Sequence, residues 1–188
     1  MILPHINYCI LSWGRDCKDI LLLQKKAVRA IYIADYRAHT QPLFKCLIIL
    51  DVDDIYHLKI LVFYHNLLTG KIPLYFHSFM PSVSTGNVRY PLRNPQLQLP
   101  KYKHEYIKLT CRYQLPHLLN QYMSRDQEEI NNRDEVCFSF FINNASNIPL
   151  NGFKKLVKSH FINDYAYSCT IPNCYICELY DPVFPMAV

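Results

Sequence analysis

Cys169, Cys174 and Cys177 stand in the order C-x4-C-x2-C near the end of the chain. Thiolates that close together on an irregular loop can grip one side of a tetrahedral zinc ion, so the group is a candidate metal site. A tetrahedral site needs a fourth ligand. The nearest histidine is His160, nine residues before Cys169, and Cys137 is an upstream alternative. Neither spacing is that of a finger or knuckle, and an incomplete ligand set favours free thiols over a structural zinc. Asp53 and Asp54 imitate the paired carboxylates with which polymerases hold two catalytic metals. That chemistry needs a tight hairpin delivering both groups to one pocket, whereas this pair stands at the mouth of a helical pattern, where acids stabilise the unpaired amides of the first turn. The sequence reads them as helix-start residues.

The other chemistry-bearing residues form no constellation. The eight histidines are scattered, no H-E-x-x-H frame occurs, and His57 and His65 lie eight residues apart on one segment. Four isolated glycines make no phosphate-binding loop, and there is no G-x-S-x-G elbow. His5 with Cys9 is a pairing that any helix carrying both residues would offer. The expectation is a chain without catalysis of its own and without a small-molecule substrate.

Binding residues are easier to nominate. Lys25, Lys26 and Arg29 share one segment and Lys154, Lys155 and Lys158 another, so each could present cations to the phosphates of RNA or DNA. Solvated helix faces carry the same residues for no partner at all. A net charge of +5 and a pI near 8.7 permit a nucleic-acid partner without requiring one.

The elements that must position these groups are mostly helical. From Asp19 to Ala34 the apolar positions Ile20, Leu23, Ala27, Ala30, Ile31 and Ala34 recur at helical spacing. Thr40 and Pro42 predict an N-cap and a short helix over residues 41–47. A third helix, over residues 52–69, begins with aspartates and stops at Gly70 with Pro73 beyond. Pro81, Pro91, Pro95 and Pro100 mark residues 80–101 as a linker. Tyr106, Ile107, Leu109, Cys111 and Tyr113 are strand formers that could pair with QLQLP in a hairpin. The charged run SRDQEEINNRDE is a surface loop or the exposed start of a helix. FKKLVKSHFIND predicts an amphipathic helix with Phe153, Leu156, Val157 and Phe161 on one side. The expected fold is mainly α, a small helical bundle over residues 1–79 followed, after the linker, by an irregular α+β region at 102–163 and a Cys/Tyr-rich tail at 164–188.

Composition agrees with this class. Apolar residues make up 51% and charged ones 19%, enough for a core, and twelve prolines with fifteen tyrosines suit helices joined by extended, aromatic-rich connections. Eight cysteines, five of them far apart in apolar stretches, read as reduced thiols. The opening MILPHINYCILSWG lacks the basic front of a signal peptide, and no apolar run approaches a membrane span of ~20 residues. An intracellular, soluble protein of the cytoplasm or nucleus is expected, with no membrane partner.

Taken in order, ILPHINYCILSWG, LLLQKKAVRAIYIADYRAHTQPLF, LIILDVDDIYHLKILVFYHNLLTGKIPLYF, YPLRNPQLQLPKYK, KLTCRYQLPHLLN and NGFKKLVKSHF resemble the C-terminal part of reverse transcriptases of non-LTR (LINE-type) retrotransposons. The resemblance lies in their co-linearity. It implies a helix following the palm in the first block, a thumb-like bundle up to Phe79, and catalytic motifs that would lie upstream of Met1. In an intact enzyme such a thumb would clasp the template–primer backbone, a role that falls here to Lys25, Lys26 and Arg29. Where family members read Gln-Gly-Pro and Trp-Asn, this chain has Gln114-Leu115-Pro116 and Leu119-Asn120, and Tyr90-Pro91-Leu92-Arg93-Asn94 stands for a Y-N-T-R-N-like block. The implied role is an inert fragment with weak, sequence-independent backbone binding and, with its palm absent, a tendency to self-associate. The alternative is a small zinc-binding module for nucleic-acid or protein interaction built on the C-terminal cysteines.

Overall fold

The computed structural model describes residues 3–82, 97–129, 142 and 144–165. Its centre is the helix with acids in front and glycine behind. We number the helices α1 (Leu3–Asn7), α2 (Ile10–Trp13), α3 (Lys18–Tyr32), α4 (Thr40–Cys46), α5 (Val52–Leu68), α6 (Cys111–Glu129) and α7 (Leu150–Asp164). Short 3-10 turns at Gly14–Asp16, Leu74–Phe79, Glu105–Leu109 and Ala145–Asn147 link them.

Both ends of α5 form as its sequence predicts. The Asp51 carboxylate accepts the Asp54 backbone N–H at 2.8 Å, satisfying a first-turn donor, and Asp53 and Asp54 face the positive end of the helix dipole. At the other end Gly70 takes φ 65°, and the Lys71 N–H reaches back to the Asn66 carbonyl at 2.9 Å. Val52, Ile55, Tyr56, Ile60, Leu61, His65 and Leu67 are all buried, too many directions for one apolar stripe. A helix apolar on every side belongs in the middle, and α5 packs against α2, α3, α6 and α7.

α3 departs from its predicted face. Its buried residues are Gln24 and Val28, while Leu23, Ala30 and Ile31 of the expected stripe face outward. The Gln24 side-chain amide donates to the Leu50 carbonyl at 2.8 Å, a buried polar anchor that sets the rotation of the helix. The helix ends two residues before Ala34 because Ile33 turns left-handed, with φ 54°. α4 starts one residue earlier than expected. His39 occupies the N-cap position, and Thr40, read as the cap, is the first helical residue and buried.

The hairpin expected over residues 106–113 is not formed. Residues 105–109 make a 3-10 turn and Cys111 opens α6, so no sheet lies among the described residues, which are mainly helical. The reason is the buried row that flanks Pro116. Leu115, Leu118, Leu119 and Tyr122 recur at helical spacing and are buried, and that burial outweighs the local preference of Tyr106 and Ile107 for strand. Pro116 sits inside the helix, where it leaves the Arg112 carbonyl without the usual N–H. Leu97 of the QLQLP segment finds its partners on a side chain: its N–H donates to Asn120 Oδ1 at 2.8 Å, and its carbonyl accepts from Asn120 Nδ2 at 3.0 Å.

α7 forms as expected, with Phe153, Val157 and Phe161 buried against α5 and α4. The buried side chains make one continuous core from Ile6 to Tyr165, so Leu115, Leu119 and Phe153 share it with Phe44, Tyr56 and Ile60 across the proline-rich segment. Each such large apolar side chain contributes about 1.5–3 kcal/mol on burial. No helix among the described residues is long and apolar enough to cross a membrane.

Candidate nucleic-acid interface

The basic residues nominated from sequence lie on two helices that both pack against α4. On α7, Lys154, Lys155 and Lys158 are exposed while Phe153 and Val157 between them point into the core, which fixes the lysines outward. On α3, Lys26 is exposed and Lys25 half-buried, close enough to the start of α5 for its charge to bear on Asp51. Arg29 is tied down. Its Nε donates to the Ala38 carbonyl at 2.8 Å, holding the loop after α3, so its positive charge stays at the surface in one orientation. None of these cations makes an ion pair with another described residue.

Of the paired aspartates, Asp54 is tied into the start of α5. Asp54 accepts a hydrogen bond from the Tyr165 hydroxyl, and burial, reinforced by the negative charge of Asp51, pushes its carboxyl up to about 7. Asp51 is raised as well, again through burial. Asp53, the other member of the pair, is exposed in the first turn of α5 and accepts from the Cys17 thiol at 3.7 Å, so the two carboxyls serve different contacts.

Cys169, Cys174, Cys177 and Cys137 lie outside the described residues. His160 is within them, half-buried on α7, its Nε2 3.8 Å from Asp164 Oδ2 and its ring edge-on to Tyr122. Among the described residues no group of three His, Cys, Asp or Glu side chains is placed to hold a metal ion.

A second basic region escaped the sequence reading. Between Lys101 and Arg112 the chain alternates cations with aromatic rings, and folding this stretch as a 3-10 turn leading into α6 gathers them. Tyr102 packs edge-on against Tyr113 at 5.5 Å, Tyr113 stacks on His117, and the His104 and Tyr106 rings lie 5.6 Å apart, only 12° from parallel. The Lys108 ammonium lies 4.8 Å above the Tyr102 ring and is bonded to Glu105 at 2.8 Å. Arg112 covers Phe79, 5.8 Å from its ring centre, and Phe79 is itself packed edge-on to Phe63 of α5. Lys101 and Arg112 also line a cleft of about 280 Å³, whose other walls include Ser78, Met80 and Gln98. The signal was present as the interleaved K-Y-K-H-E-Y-I-K run, hidden by the strand-like reading of its tyrosines.

No protein family, curated protein or solved structure matches the chain.

Proposed function

We propose that this chain is a non-catalytic nucleic-acid-binding fragment of a retrotransposon reverse transcriptase, as the resemblance in its sequence implies. It holds the phosphate backbone weakly and without sequence preference. The observation that supports this reading best is the lysine face of α7: Lys154, Lys155 and Lys158 are exposed together, without a carboxylate partner among the described residues, on a helix held rigidly by Phe153, Val157 and Phe161. Lys25, Lys26 and Arg29 on α3 supply further charge. The built-in role of Asp54 at the start of α5 supports the non-catalytic part.

Such binding is driven by counterion release, so its affinity for duplex DNA falls with salt at a slope of about 0.9 per phosphate neutralised. Anisotropy titrations at several salt concentrations test it. Replacing the three α7 lysines with glutamine should lower the slope by about 2 to 3. A tight, salt-insensitive complex, or a slope unchanged by the substitutions, would count against the reading.

A further inference from the structure

We infer that the surface built by residues 101–113 is a stacking platform for the bases of single-stranded nucleic acid. The inference rests on the nucleic-acid reading above but uses a different face of the molecule. Two features carry it.

The first is the rings. Tyr106 is 65% exposed and lies nearly parallel to the His104 ring, so the pair offers a flat π-face to solvent in an arrangement that core packing does not demand. Tyr102 is also exposed and is braced from behind by Tyr113. Bases of any identity can stack on such faces, and only an unpaired strand leaves its bases free to do so.

The second is charge. Lys101, Lys103, Lys108 and Arg112 alternate with these rings along the chain, Lys108 lying over Tyr102, and the one carboxylate in the stretch, Glu105, is taken up by Lys108. The excess is positive and lies within reach of a backbone running past stacked bases. The cleft lined by Lys101 and Arg112 of this stretch adds the hydroxyl of Ser78 and the amide of Gln98, groups suited to a phosphate and sugar. An acidic peptide would answer the charge but not the parallel rings. A lipid surface would call for a continuous apolar patch, whereas the exposed rings here alternate with lysines.

The test uses the full chain and two fluorescein-labelled probes, an oligo-dT of about 12 nucleotides and a duplex of the same length, a size within the reach of such platforms. Single strand should bind more tightly than duplex. Tyr106→Ala should weaken the single-strand complex about fivefold or more and leave the duplex complex unchanged, with Tyr106→Trp restoring binding. Because Tyr106 is exposed, thermal melting of the variants should match the parent. If charge reversal at Lys154, Lys155 and Lys158 abolishes all binding while Tyr106→Ala does nothing, the platform falls and the backbone reading stands. If only Tyr106→Ala matters, the α7 reading falls and the platform stands. Equal, Tyr106-dependent binding to phosphatidylserine vesicles would overturn the platform in favour of a lipid surface.

Discussion

The Tyr165 hydroxyl donates to the Asp54 carboxylate, joining the end of α7 to the start of α5 across 111 positions of sequence. The same oxygen accepts the Asp51 backbone N–H at 3.0 Å, so one phenol serves two groups of the α5 first turn. Lys45 of α4 completes the joint: its Nζ donates to the carbonyls of Asn163 at 3.0 Å and Tyr165 at 2.5 Å, where a cation also meets the negative end of the α7 dipole. Tyr165→Phe keeps the ring against Phe44 and removes only the hydroxyl. It should cost about 1–3 kcal/mol, read as a lower urea midpoint at constant m. A midpoint equal to the parent's would show that the joint carries no stability.

The same joint makes stability depend on pH. Asp54 is raised from 3.8 to about 7 by burial first and by the charges of Asp51, Asp53 and Asp164 after it, against the lowering effect of Tyr165. The folded chain therefore holds a proton that the unfolded chain has already released between these values. Stability from this group is fully present below pH 3.8 and is lost as pH rises through about 7. Asp54→Asn, which keeps an acceptor for Tyr165 and cannot ionise, should flatten the fall in urea midpoint between pH 4 and 7. A parent protein whose midpoint rises steadily over that range by way of Asp54 would reverse the sign and refute the assignment.

Gly14 is fixed by contact rather than by backbone angle. A Cβ there would lie 2.7 Å from Ile10 Cγ1 and 2.7 Å from Tyr56 Cδ2, and both side chains are fully packed. Gly14→Ala should therefore destabilise by about 1–3 kcal/mol, more than alanine's gain in helix propensity returns. Pairing it with Tyr56→Leu should recover part of the loss. Additive losses in the double variant would place the clash elsewhere.

Ile33 is the opposite case. A β-branched residue holds φ 54° while its side chain is 94% exposed, so it bears left-handed strain without packing in return. Ile33→Gly should raise stability by roughly 0.5–1 kcal/mol, the strain relieved less the extra chain entropy of glycine. Ile33→Ala keeps a Cβ and should gain much less. Equal gains from the two variants would point to side-chain exposure as the cause.

Elements with local signals were readable from the sequence. α5 has Asp51 in front and Gly70 behind, and α7 alternates Phe153, Val157 and Phe161 with lysines; each pattern is complete within its own segment. α6 was not readable. Its buried row begins at Leu115, beyond a run of strand formers and beside Pro116, and only the tertiary contacts of Leu118, Leu119 and Tyr122 decide in its favour. The α7 lysines were found because a single helix presents them. The Tyr106 platform was missed because its rings meet only once the 3-10 turn of residues 105–109 has formed.

The rotation of α3 offers the sharpest contrast between pattern and packing. Periodicity assigns Leu23 and Ile31 to the core, yet Leu23 is 64% and Val28 only 2% exposed. The count of apolar residues cannot choose between adjacent faces of one helix. The Gln24 amide can, because turning the helix by one position would leave the Leu50 carbonyl without its donor. Val28→Ala should thus cost roughly 1–3 kcal/mol, and Leu23→Ala less than about 0.5 kcal/mol. Gln24→Leu, which fills the same space without a donor, should cost about 1–3 kcal/mol. A large loss from Leu23→Ala that is the same at every protein concentration would mean that α3 is turned the other way. A loss that appears only on concentrating the parent would mean that a second copy covers this face. With neither, the exposed leucine is a surface residue and Gln24 sets the register of the helix.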